Sequence, residues 1–148
     1  LSANQLDQVP MDRLIKKIKK IFNTLNPDTV FIPNPEDAHS DHNIVAKASI
    51  ACCKIFRNQN IRKIFLYETL SETNFNLLTK KSFKPNYYFN ISKSINSKIK
   101  ILKIYKSEIK SHPFPRSAKS VKSLAILRGS ECGYKYAEGF KLIFEKDE

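Results

Sequence analysis

Two short apolar runs, TVFI at 29–32 and KIFLY at 63–67, carry their hydrophobic residues consecutively rather than in alternation. Consecutive apolar residues imply a strand covered on both faces. The segment between the runs repeats Ile44, Val45, Ala48, Ala51, Cys52 and Ile55 at helical spacing, which predicts a helix from an N-cap at Ser40 to about Arg57. Strand, helix, strand in that order requires a crossover, and the pattern predicts an α/β fold with a mostly parallel sheet.

The rest of the chain extends this pattern. MDRLIKKIKKIFNTL at 11–25, entered from Pro10, sets Leu14, Ile15, Ile18, Ile21, Phe22 and Leu25 on one helical face before NPD breaks it. Residues 69–90 have mixed character and close on an extended KPNYYFNIS. Ser92 is the expected cap of a helix reaching about Ile109, SHPFP interrupts, and a further helix spans Ser117 to about Leu127 with Gly129 near its end. FKLIF at 140–144 reads as a last strand. Two central strands alone cannot form a stable sheet, so strands are expected to be missing from this sequence.

At 148 residues with 41% hydrophobic and 27% charged residues, the chain fits a single domain over 1–148 and not a disordered tail. Its net charge of +12 raises the question of an anionic partner. Lysines scattered through LIKKIKKIF and KIKILKIYKSEIK instead describe solvated helix faces, and only Arg13, Arg57, Arg62, Arg116 and Arg128 are arginines. Without Arg forks or an aromatic-basic motif, no nucleic-acid partner is expected. No run approaches the roughly 20 apolar residues of a membrane span and no signal peptide opens the chain, so a cytoplasmic setting is expected. Cys52, Cys53 and Cys132 form no CxxC or secreted-scaffold spacing.

The chemistry concentrates in PNPEDAHSDHNIVAKA at 33–48, where two of the three histidines, His39 and His42, stand at a strand-to-helix turn with Asp41 between them. Ligands collect at such turns, outside the carboxyl ends of the strands. Two readings of the turn stay open on spacing alone. In one, His42 is a metal ligand, His39 reaches a substrate oxygen and Asp41 orients either ring. In the other, Asp37, Ser40 and Asp41 cap the helix and both histidines are surface residues. A catalytic zinc takes three protein ligands, more than this turn supplies. Glu68, just past KIFLY, is a further candidate contact.

Taken together, LSANQLDQVP, NPDTVFIPNPEDAHSDH, LYETLSETNF, FKPNYYFNIS, SHPFPRS and LAILRGSECGYKYAEGFKLI resemble, in order, the later part of bacterial LmbE-like, or PIG-L, metal-dependent de-N-acetylases. The resemblance covers nearly the whole chain, and its most specific block runs from Arg128-Gly129-Ser130 to Tyr136-Ala137-Glu138-Gly139-Phe140. It implies a Rossmann-like three-layer α/β fold and a zinc hydrolase that removes acetyl groups from N-acetylated amino sugars. By the same resemblance His42 is a metal ligand, His39 stabilises the oxyanion or acts as an acid, and Asp41 supports the histidines. The remaining ligands and the general base belong to a His-Pro-Asp-Asp segment that this sequence lacks. Phe114 stands where related sequences often have histidine, and Arg116 beside it is a weak substrate-contact candidate.

With Leu1 first and Met11 the only methionine, the expectation is that roughly 60 to 90 N-terminal residues, two or three βα units of about 30 residues, are missing. The reading is therefore a Zn2+-dependent deacetylase, with Fe2+ also open, that yields free amine and acetate and is inactive as this chain alone. The alternative is a non-catalytic sugar- or nucleotide-binding module that has lost half its site. The particular sugar and the oligomeric state are not encoded in any of these features.

Overall fold

The computed structural model describes residues 5–77 and 82–147, so residues 78–81 of the expected excursion lie outside the described residues. The chain forms two compact units, one from residues 1–84 with 141–148 and one from residues 85–140. Helices and strands alternate from Met11 to Tyr67, two strands and then two helices stand next to one another in the later chain, and the strand order of the sheet is β1-β2-β4-β3. The strands are β1 (Thr29–Pro33), β2 (Lys63–Tyr67), β3 (Tyr87–Asn90) and β4 (Ala137–Glu145).

In the first unit, α1 (Met11–Leu25) begins behind Pro10 and ends at Asn26, whose φ of 44° is one that asparagine tolerates well. Its apolar stripe buries Leu14 and Phe22, with Ile15 and Ile18 packed on the same core. β1 and β2 pair in parallel with Thr29 opposite Lys63 and Pro33 opposite Tyr67, as consecutive apolar residues predict. α2 (Ser40–Cys52) makes the crossover between them, and its buried residues, Ala46, Ala48, Ser49 and Cys52, are all small enough for close packing on α1 and β1. Ile32, Ile61, Ile64 and Leu66 complete the core with Phe22, Cys52 and Cys53. Fully burying an aliphatic side chain of this size contributes about 1.5–3 kcal/mol.

α2 stops short of the expected Arg57. Asn58 Nδ2 donates to the carbonyl of Cys52 at 2.6 Å, and the Arg57 amide bonds to the Lys54 carbonyl in a separate turn. A side chain thus takes the acceptor that another helical turn would have used.

In the second unit, β3 pairs antiparallel with the start of β4, Tyr87 opposite Phe140 and Asn90 opposite Ala137. The sheet is mixed, with β4 supplying the additional pairing that β1 and β2 need. The expected helix from Ser92 to Ile109 is only α3 (Ile95–Leu102). Ser92 is used elsewhere: its amide donates to Asn90 Oδ1 at 2.9 Å and its hydroxyl meets the Tyr136 backbone. Beyond Leu102 the expected stripe is left open, Tyr105 being 60% exposed. α4 (Ala118–Cys132) is longer than expected. Ser117 caps it by accepting the Ser120 amide at 3.1 Å, and Gly133, at φ 79°, ends it in the left-handed conformation. Gly129 lies inside this helix and not at its end, because the backbone of residues 134–135 crosses where a β-carbon would sit.

Candidate functional site

The register that sets Pro33 opposite Tyr67 brings the carboxyl ends of β1 and β2 side by side, and both following loops begin there. Asn34 continues the ladder by one bond, its amide donating to the Tyr67 carbonyl at 3.2 Å. The chain then turns: the Asp37 amide bonds to the Asn34 carbonyl at 3.1 Å, and Asn43 Nδ2 reaches back to the carbonyls of Pro35 and Asp37 at 3.0 and 2.8 Å. The loop leading to α2 is thereby held from both ends.

His39, not Ser40, is the N-cap of α2. Its backbone is extended, and its Nδ1 accepts the Asp41 amide at 3.1 Å. An Nδ1 that accepts carries no proton, so the neutral ring holds its proton on Nε2. His42, in the first turn of α2, is arranged the other way. Its Nδ1 lies 2.7 Å from Oδ2 of Asp37, a carboxylate whose side chain has no exposed surface. A carboxylate only accepts, so Nδ1 donates and Nε2 of the neutral ring is left with its lone pair. The two rings stack with centroids 5.3 Å apart and 21° between their planes.

The loop after β2 closes over the same turn. Thr73 Oγ1 lies 2.6 Å from Asp37 Oδ1 and 2.7 Å from the Thr69 amide, and the Ala38 amide donates to the Glu72 carbonyl at 3.1 Å. Asn76 Nδ2 adds a bond to the Glu36 carbonyl. Glu68, half-buried, opens this loop directly after Tyr67. The Tyr67 phenol is pushed above its ordinary range, first by burial and then by the Asp37 charge.

Of the residues singled out from sequence, His39, Asp41 and His42 come together at this turn. Asp41 meets His39 through its backbone amide, while its side chain accepts the Leu6 amide at 3.2 Å. Arg116 belongs to the other unit, where it bonds Glu108 and lies 5.4 Å from the Phe114 ring centre. Sequence reading assigned Asp37 only to capping and passed over Thr73 and Tyr67. Asp37 stands five positions before His42, a separation that has meaning only once the loop has folded back; nothing local in the sequence signals Thr73.

One buried carboxylate fixing one imidazole, with the other ring nitrogen unprotonated, fits a metal-ligating histidine. Among the described residues no group of three or more His, Cys, Asp or Glu side chains converges as a metal site. No helix among them is long and apolar enough to cross a membrane.

Known proteins share both the sequence of this region and its fold. The family profile of PIG-L, GlcNAc-PI de-N-acetylase, matches residues 1–53, which include the histidine turn and α2. The N,N'-diacetylchitobiose deacetylase of Pyrococcus horikoshii, solved with an inhibitor, superposes with a TM-score of 0.68 at 23% identity, over 91% of this chain and 53% of its own. A conserved protein of Thermus thermophilus gives 0.73 at 21% identity, over 100% of this chain and 65% of its own. The 4-carboxy-2-hydroxymuconate hydratase GalB of Pseudomonas putida gives 0.66 at 12% identity, over 93% and 60%. The chain thus spans between about half and two thirds of each solved structure, and one fold carries reactions as different as deacetylation and hydration. The sequence of residues 1–53 is thus similar to the PIG-L, GlcNAc-PI de-N-acetylase, family, and the fold of the whole is that of these solved structures.

Proposed function

We propose that the chain is part of a zinc-dependent de-N-acetylase that hydrolyses the acetamide of an N-acetylated amino sugar to free amine and acetate. The observation that carries this reading is the contrasting surroundings of two stacked histidines, Nδ1 of His39 facing the Asp41 amide and Nδ1 of His42 the Asp37 carboxylate, which in neutral rings leaves a donor on His39 and a lone pair on His42. Amide hydrolysis uses both: a Lewis base to hold a cation and a hydrogen-bond donor for the oxygen that becomes negative.

His42 would hold the zinc through Nε2, with Asp37 fixing the ring from its other side. Zinc bound there supplies Lewis-acid polarisation of the amide carbonyl and activation of water. His39, with its proton on Nε2, would donate a hydrogen bond to the developing oxyanion. The Asp41 amide holds His39 in that tautomer, and the Asp41 carboxylate ties the start of α2 to the Leu6–Gln8 turn. A three-ligand zinc site around His42 would need ligands beyond those the described residues bring together. The amino-sugar substrate is supported by the family description and by the chitobiose deacetylase. We place the protein in the cytoplasm and treat residues 1–148 as part of one catalytic domain.

The test is acetate release by the natural full-length protein from N-acetylglucosaminyl substrates, before and after removal of metal by a chelator. Release that stops with the chelator and returns with zinc supports the reading. Release unaffected by metal removal, or sugar binding with no acetate formed, would overturn it.

A further inference from the structure

The hydrogen bonds behind His42 have only one consistent direction. The Thr69 amide can only donate, so Thr73 Oγ1 accepts it at 2.7 Å. The Asp37 carboxylate can only accept, so the Thr73 hydroxyl proton is directed at Oδ1, 2.6 Å away. Oδ2 is left for the Nδ1 proton of His42 at 2.7 Å. The Asp37 backbone is also fixed, by the Asn34 carbonyl on one side and Asn43 Nδ2 on the other. The carboxylate is fully buried, and among the described residues no buried side-chain nitrogen or oxygen lacks a partner.

We propose that Thr73, from the loop after β2, is a positioning residue that acts through Asp37 to keep the His42 proton on Nδ1 and the lone pair on Nε2. The segment from Thr69 to Asn76 then does more than close over the turn. It transmits a fixed backbone donor, the Thr69 amide, through one hydroxyl and one carboxylate to the imidazole. This deepens the reading of His42 as a metal ligand and rests on it only for the use made of Nε2.

The directionality makes an unusual variant decisive. In Asp37→Asn the side chain keeps its shape but has one accepting and one donating end. The Thr73 hydroxyl proton selects the amide oxygen for the Oδ1 position, so the amide NH2 faces His42 Nδ1. That nitrogen must then accept, and the ring proton moves to Nε2. Adding Thr73→Val removes the selection, and the amide is free to turn its oxygen to His42.

The experiment is two-bond 15N–1H correlation of the histidine rings in the metal-free full chain, in mildly alkaline buffer where an ordinary imidazole of pKa about 6.5 is neutral. The expected result is an Nδ1–H tautomer of His42 in the natural protein and in Thr73→Ser, which keeps the hydroxyl. Asp37→Asn is expected to give the Nε2–H tautomer, and Asp37→Asn with Thr73→Val to move back toward Nδ1–H. A proton remaining on Nδ1 in Asp37→Asn, or a double variant indistinguishable from the single one, overturns the proposal. Should Asp37→Asn fail to fold, the Thr73 pair decides by zinc affinity of the full chain. Thr73→Val is expected to weaken it about 10- to 100-fold with Thr73→Ser unchanged. Equal behaviour of the two variants contradicts the proposal. The tautomers are read without metal or substrate, so this result is independent of acetate release.

Discussion

His39 and His42 stack at 5.3 Å while their Nδ1 atoms play opposite parts, one accepting from the Asp41 amide and the other donating to the Asp37 carboxylate. The backbone produces this asymmetry. As N-cap, His39 turns its Nδ1 toward the orphan amides of the first helical turn; one turn on, His42 faces the loop that folded back beneath it.

If His39 is the proposed oxyanion donor, its removal gives a catalytic defect without a binding defect. His39→Ala in the full-length enzyme is expected to retain zinc and to lower turnover roughly 10²- to 10³-fold, the usual loss for an oxyanion donor. Metal analysis alongside steady-state kinetics separates the two effects. Loss of zinc together with activity would make His39 a ligand instead.

Gly129 allows the most recognisable block of the sequence to pack. A β-carbon there would lie 3.1 Å from the backbone carbon of Lys135 and closer still to the Tyr134 carbonyl oxygen. Because backbone and not a flexible side chain is in the way, Gly129→Ala is expected to cost at least about 1–3 kcal/mol by overpacking, despite alanine's better helix propensity. Urea unfolding measures it, and a stabilised variant would contradict the packing.

Ile61 is wholly buried against the core formed by Ile32, Ile64 and Leu66. Ile61→Ala is expected to destabilise by about 2–5 kcal/mol through lost transfer energy and a residual cavity. A loss much smaller than this in denaturant unfolding would mean that the first unit is loosely packed.

Burial raises the Cys53 thiol to about 11, with Cys52 adding to the shift. The thiolate is therefore disfavoured in the folded state. The associated stability is complete below the ordinary value of 9.0 and is lost as pH rises from there through about 11. Alkylation followed by mass spectrometry at pH near 8 is expected to label the partly exposed Cys132 well before Cys53. Rapid labelling of Cys53 in the native state would contradict its placement.

Much of this structure is legible in the sequence where local signals and tertiary burial agree. The apolar runs at 29–32 and 63–67 and the stripe of α1 are such places, and each forms the predicted element. The helix expected from Ser92 to Ile109 is shorter at both ends, because Asn90 takes the Ser92 amide and the stripe beyond Leu102, at Tyr105, stays exposed among the described residues. At the site, two histidines at a strand-to-helix turn are visible as a motif. The contrasting partners of their Nδ1 atoms are not, because the His42 contact depends on Asp37 five positions away and on Thr73, brought back by the loop after β2.

The most direct test of the central claim is zinc content and acetate release measured together on the natural full-length protein and its His42→Ala variant. Stoichiometric zinc and metal-dependent acetate release are expected of the natural protein, and loss of both is expected of the variant while its fold persists. A His42→Ala protein that keeps its zinc and its turnover would contradict the assignment.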